Sequence, residues 1–502
     1  MNALRTLPLL ALALGAAPGL AAQDPHAHAG AAPERLGRVA FPTSCSAEAQ
    51  PRFERAVALL HSFWWDEAGR AFDAVAAADP GCAMAHWGKA MTLRGNPFAG
   101  APGKSALEAG LAVVERGLAL GPPTPRERGY LEAAARIYRD HERLDSRTRL
   151  LAYEEAMREV HESNPGDPEA AVFYALAVAS NAPPTDLQFE RQKRAAAILR
   201  PLFSAQPDHP GLAHYLIHAH DAPPLAHLAV DAASRYSEIA PSVPHALHMP
   251  SHVFTRLGMW DESIDANRAS AASARAHEER QGSAAASFDR VHAWDYLVYA
   301  YLQQGRDAEA RRILEEGRGT AAAPSIATDY GLAAIPARYA LERGRWAEAA
   351  QLSVRPSPGF RPGEGISLFA RGIGAARSGL LPLARADAAA LAALRDTLEG
   401  RGDAYWTQVV DAQRQAVLAW IAHREGRAEE ALRLASAAAE AEERAEKHPV
   451  TPGPILPARE LQGDLLLELG RPAEALRAYE ATLAREPNRA RALFGAARAA
   501  EL

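Results

Sequence analysis

Runs of residues with helical character, rich in alanine and leucine, break off at a glycine and restart on an aromatic or polar residue. Glu-Ala or a near variant then follows. The copies read Gly258-Met-Trp-Asp-Glu-Ser, Gly305-Arg-Asp-Ala-Glu-Ala, Gly344-Arg-Trp-Ala-Glu-Ala, Gly426-Arg-Ala-Glu-Glu-Ala and Gly470-Arg-Pro-Ala-Glu-Ala, with a looser one at Gly379-Leu-Leu-Pro-Leu-Ala. Successive glycines are 47, 39, 35, 47 and 44 residues apart. An earlier copy, Trp64-Trp65-Asp66-Glu67-Ala68, lacks the glycine. The spacing predicts helical hairpins: glycine takes the left-handed position that closes the first helix, and the alanine of Glu-Ala admits the second helix closely. Proline at Pro80, Pro241 or Pro487 ends a second helix. A single hairpin cannot bury its apolar face alone, so the hairpins must stack into a solenoid.

The motif resembles the tetratricopeptide repeat. The resemblance runs from about Pro51 to Leu502 and implies an all-α superhelix of roughly eleven hairpins, a fold that mostly binds partners on its concave face. The expected division is a signal peptide over 1–22, a flexible segment over 23–46, and hairpins over 47–205, 206–320 and 321–502. The middle block carries the candidate site. The last stretch, 488–502, reads as a capping helix in which Leu493 and Phe494 make the apolar contact while Arg489, Arg491 and Arg498 face water.

Composition narrows the class. With 55 Lys+Arg against 61 Asp+Glu, a net charge of −6 gives no electrostatic case for nucleic-acid binding. A chain 48% hydrophobic and 23% charged is that of a soluble globular protein. Arg5, the apolar run Leu7–Ala17 and the small residues Ala21 and Ala22 pattern as an export signal too short to span a bilayer. The expected location is therefore outside the cytoplasm, in the periplasm. In an oxidising compartment the only two cysteines, Cys45 and Cys82, placed ahead of two helices, should form a disulfide.

Several motifs carry no chemistry. Gly100-Ala-Pro-Gly103-Lys104-Ser105 lacks the first glycine and the preceding strand of a phosphate loop. His141-Glu142, His161-Glu162 and His277-Glu278 lack the second histidine of a zinc-protease helix, and no G-x-S-x-G occurs. His26 and His28 read as solvated.

The histidines between 209 and 252 are different. Eight of the chain's 18 lie there, where an even spread would place fewer than two. With Gly258 counted as position 15 of its repeat, Ser251, Phe254 and Trp260 fall on the packing positions, and His245, His248 and His252 on positions 2, 5 and 9. In tetratricopeptide repeats those positions line the concave face, and steps of three and four put them on one helical stripe. Pro250 is expected to kink the helix there. The next repeat aims His292 and Asp295 beside them, and the preceding one His214, His218 and Asp221; His220 and His227 point elsewhere. Six neutral imidazoles with two carboxylates suit zinc, copper or iron better than magnesium or calcium. An anionic or polar organic ligand and plain hydrogen bonding are the alternatives. Tyr299 and Arg338 are further groove candidates, as are Phe369, Trp420, His423, Glu460 and Asp464.

The segments Gly211–Asp221 and Pro244–His252 also resemble those of exported bacterial tetratricopeptide-repeat proteins of unassigned activity, which implies export and architecture but no mechanism. Three functions follow: a solenoid whose metal site helps bind a protein, peptide or small ligand in the groove; a hydrolytic or copper/iron oxidative enzyme using the same histidines; and a metal-free interaction scaffold. None involves nucleic acid or a membrane span.

Overall fold

A computed structural model describes residues 34–357 and 360–502; the export-signal reading and His26 and His28 lie outside them. The described residues form eleven antiparallel helical hairpins followed by a single closing helix, Ala490–Glu501. Beyond one isolated bridge between Ala286 and Ala322, they contain no β-structure. Arg35–Leu502 is one compact unit, so the limits at 205/206 and 320/321 fall between hairpins and do not separate domains. None of its helices is long and apolar enough to cross a membrane. This is a tetratricopeptide-like α-solenoid.

The repeating glycine works as its position demands. At Gly258 (φ 66°) the amide of Met259 bonds the Phe254 carbonyl at 2.9 Å and that of Gly258 the Thr255 carbonyl at 3.2 Å. This pair of bonds ends the helix and turns the chain into the next one. The copy without glycine makes the same turn. Phe63 sits at φ 54°, with the amides of Phe63 and Trp64 bonded to the Leu60 and Leu59 carbonyls.

Residues 35–46, expected to be flexible, are tied down instead. The amide of Arg35 donates to Ser242 Oγ at 2.8 Å and that of Arg38 to the Asp208 carbonyl at 2.9 Å. Phe41 is buried against Phe53, Trp87 and Tyr130. Burial of that ring offsets part of the freedom the segment loses, and the backbone bonds and a disulfide supply more. Cys45 and Cys82 are joined in a disulfide, Cα atoms 4.7 Å apart, which fastens this segment to the start of helix Ala83–Arg94.

Two features close the concave side. Residues 444–457 run across the inner helices: Glu446 N bonds the Pro184 carbonyl at 2.9 Å, and Arg338 donates to the carbonyls of Gly453 and Pro454 at 2.7 Å. The chain end then docks on the middle hairpins, with Trp260 Nε1 donating to the Asn488 carbonyl at 3.0 Å. The closing helix caps the array differently from expectation. Leu493 and Phe494 are 47% and 69% exposed, while Arg489 is fully buried. Its guanidinium pairs with Glu460 at 2.7 Å and Glu342 at 2.8 Å, an ionic contact beside the apolar cluster that Ala492 and Ala499 form with Leu466 and Tyr479; a buried cation needs carboxylates that the apolar pattern did not reveal.

Candidate metal centre

Helices Pro210–His220, Pro244–His248 with Pro250–Arg256, and Phe288–Gln303 bring all six expected histidines together, and all are buried. They sort into two triads, His214–His218–His245 and His248–His252–His292, in each of which one nitrogen per ring lies within 4.8 Å of the others. The triads adjoin: ring centres of His245 and His248 are 6.1 Å apart, and those of His218 and His252 are 6.0 Å apart. The helix is interrupted at Met249, just before Pro250, which has no amide to donate, and the Nε2 atoms of His248 and His252 still come together.

The hydrogen bonds decide what these rings can do. His248 Nδ1 meets Asn267 Oδ1 at 2.6 Å; the Asn267 amide nitrogen donates to the Ser263 carbonyl, so Oδ1 must accept and His248 Nδ1 must carry the proton. His252 Nδ1 donates to Asp221 Oδ2 at 2.8 Å. Both Nε2 atoms are then bare lone pairs, yet they face each other at 3.1 Å. Only an imidazolium could place a proton between them, and burial holds both rings below the ordinary histidine range. Two lone pairs converging without a proton could both be taken up by a cation between them.

The other triad repeats the logic. His214 Nδ1 donates to the His61 carbonyl at 2.6 Å, and its Nε2, His218 Nε2 and both nitrogens of His245 are buried without a hydrogen-bond partner. Unmade hydrogen bonds of this kind cost about 1–3 kcal/mol each. Burial pushes His214, His218, His245 and His292 well below the ordinary range, which keeps the rings neutral and their lone pairs free.

The carboxylates take supporting places. Asp221 orients His252 and is itself held by Arg256 Nε at 2.9 Å and Lys447 Nζ at 3.3 Å. Burial would raise its carboxyl, but those two cations hold it well below the usual range. Asp295 pairs with Arg338 Nε at 2.9 Å and belongs to neither triad. Tyr299 turns to Glu486 at 2.8 Å, and Arg338 is wholly buried between Asp295, the Thr451 hydroxyl and the Gly453 and Pro454 carbonyls. The phenol beside the histidines is Tyr296, its oxygen 3.4 Å from both nitrogens of His252 while it donates to the Thr451 carbonyl. His220 bonds the Leu216 carbonyl within its own helix, and His227 is exposed.

Besides Asn267, Tyr296, Arg256 and Lys447, three more groups near the site lay outside the expected set. Asp289 lies 3.8 Å from His245 Nδ1, one turn before His292 on the same helix. Glu169 bridges His61 at 2.9 Å and His209 at 2.8 Å. With Tyr215 on His61 Nδ1 and the Leu212 amide on His209 Nδ1, both rings are fully bonded, so this third cluster has no lone pair to offer and instead holds the His61 carbonyl under His214. Phe63 was visible as the residue in the missing glycine's place; its ring centre is 4.3 Å from that of His214 and 5.6 Å from that of His245.

A small pocket touches both triads, through His218 and His245 on one side and His252 and His292 on the other. Phe98, Phe288, His448 and Val450 complete much of its wall.

No protein-family model and no curated protein matches the chain. Among solved structures, the Cut9–Hcn1 hetero-tetramer of APC/C is 12% identical, covering 91% of this chain and 77% of the other with a TM-score of 0.36. IFIT1, a monomeric mutant with Gppp-AAAA, is 12% identical over 79% and 82% with 0.38. Yeast Tom70 is 8% identical over 89% and 87% with 0.35. None of these likenesses bears on the histidine centre.

Proposed function

We propose that the protein holds two transition-metal ions, one in each histidine triad, and that a small ligand reaches them from the cavity the triads share. The observation that carries this reading is the approach of His248 Nε2 to His252 Nε2 at 3.1 Å with both Nδ1 protons already given away. Three nitrogen donors leave a coordination position for a ligand or water, whereas a purely structural site is closed by four. That favours a metal-dependent enzyme over a passive metal store. Asp221, Asn267 and the His61 carbonyl would serve as the outer partners that fix ring orientation. Residues 444–457 lie along the inner helices, so the ligand is one small enough for the cavity; a long peptide in the groove would have to displace them. An exported location accords with the Cys45–Cys82 disulfide.

The test is metal analysis of protein purified without a histidine tag. Two equivalents per chain are expected. The double change His248→Ala with His252→Ala should remove about one of them, with circular dichroism checking that helix content is retained. His227→Ala, at an exposed position, should change nothing. Full wild-type stoichiometry in the double variant would place the metal elsewhere.

A further inference from the structure

We infer that the two ions are copper and that, as a Cu(I) pair, they take up one molecule of dioxygen between them. This rests on the two-metal reading above and names its metal and its small ligand.

The donor set comes first. Both triads consist of imidazoles alone, with neither carboxylate nor thiolate among the converging atoms. Two divalent ions side by side generally need an anion between them to offset their repulsion. Of the nearby carboxylates, Asp221 is already spent on His252, Arg256 and Lys447, and Asp289, 3.8 Å from His245 Nδ1, is not among the atoms that converge in either triad. A pair of monovalent ions repels with a quarter of the Coulomb energy of a divalent pair at the same distance, and burial penalises it less. Arg256 and Lys447, buried beside the second triad, sharpen that preference. Among first-row metals with an affinity for neutral imidazole, copper is the one with a stable monovalent state, and Cu(I) accepts three donors.

The ligand follows from the cavity. It touches rings of both triads and is walled by Phe98 and Phe288; Phe98 stacks on His218 with ring centres 4.0 Å apart, and Phe288 stacks on His292 at 5.6 Å. Apolar walls favour a small neutral molecule over an ion. Dioxygen fits that description, and the electron count closes. Each Cu(I) gives one electron, the O–O unit is reduced by two to the peroxide level, and both coppers become Cu(II). No proton and no outside reductant enter this step.

The experiment uses the full chain, freed of metal by chelation and titrated with Cu(I) under argon, then exposed to a measured amount of dioxygen. Two Cu(I) per chain should bind, and one dioxygen per chain should disappear. The product should be silent in electron paramagnetic resonance, because the two Cu(II) spins couple through the bridging oxygen. The His248→Ala, His252→Ala variant should keep one copper and, in air, give the signal of an isolated Cu(II). Should that variant fail to fold, the wild-type oxygen stoichiometry and spin silence decide alone. Two bound coppers with no oxygen uptake, or with two isolated Cu(II) signals, would overturn the inference. Two zinc ions bound where copper does not pair would leave the two-metal reading standing and remove copper. Binding of no metal at all would remove both.

Discussion

Phe63 occupies the left-handed conformation that the later hairpins give to glycine. For a residue with a bulky side chain that placement costs of order 1–3 kcal/mol, and it persists because the ring packs against Trp65, His214 and His245. The strain therefore sits at the candidate metal centre and positions one wall of the first triad. A pair of substitutions separates backbone from ring. Phe63→Ala loses the ring and keeps the strain, whereas Phe63→Gly loses both. Urea unfolding should find Phe63→Gly the more stable of the two by about 1 kcal/mol, the reverse of the Ala-over-Gly order inside a helix. Equal stabilities would mean that the turn carries no strain. The missing glycine was legible in the sequence; the meaning of its replacement was not, because His214 lies some 150 residues further along the chain.

At the scale of helices, the register was readable wherever the glycine motif fixes it. Counting from Gly258 puts His245, His248 and His252 on one inward stripe, and the helix does present them together. What counting cannot give is partnership between hairpins. Tyr299 and Tyr296 are one helical turn apart, yet Tyr296 meets His252 and the Thr451 carbonyl of the crossing segment 444–457, which has no periodic pattern, while Tyr299 meets Glu486. The same segment supplies the Lys447 that holds Asp221. Gly258 itself does double duty. Besides its positive φ, a Cβ there would lie 2.3 Å from the Pro487 carbonyl oxygen and 2.8 Å from Asn488 Cβ. At Gly305, with nearly the same φ of 67°, a Cβ would meet nothing within 4 Å. Gly305→Ala should therefore cost only the backbone strain, about 1–2 kcal/mol, and Gly258→Ala a further 1–3 kcal/mol from the clash. Chemical denaturation of the two variants measures the difference. Limited proteolysis should cut near Asn488 faster in Gly258→Ala alone, because that clash pushes the chain end off the middle hairpins.

Over the whole molecule, the six imidazoles make stability depend on pH in a known direction. Burial lowers every one of their folded-state values, whereas in the unfolded chain they titrate near 6.5. Above that pH the rings are neutral in both states and the native fold carries no penalty. Below it the unfolded chain binds protons that the native protein refuses, so stability falls with every step toward acid, by up to about 1.4 kcal/mol per pH unit for each ring still refusing its proton. The melting temperature of chelator-treated protein should drop between pH 6.5 and 5, the six imidazoles outweighing Asp289 and Glu442, whose burial raises them to about 7 and about 8 and whose titration acts in the opposite direction. Replacing His214 and His245 with Gln, which remains neutral, should flatten that drop. The metal-loaded protein should be more stable at neutral pH and should release its ions over the same acid range, since protons and metal compete for the same lone pairs. Thermal melts at half-unit pH steps, with metal release followed by a chelating dye, check each part. A chelated protein whose melting temperature stays constant down to pH 5 would show that the rings take up protons as freely as solvated histidines do, and that the buried lone pairs on which the metal reading stands do not exist in solution.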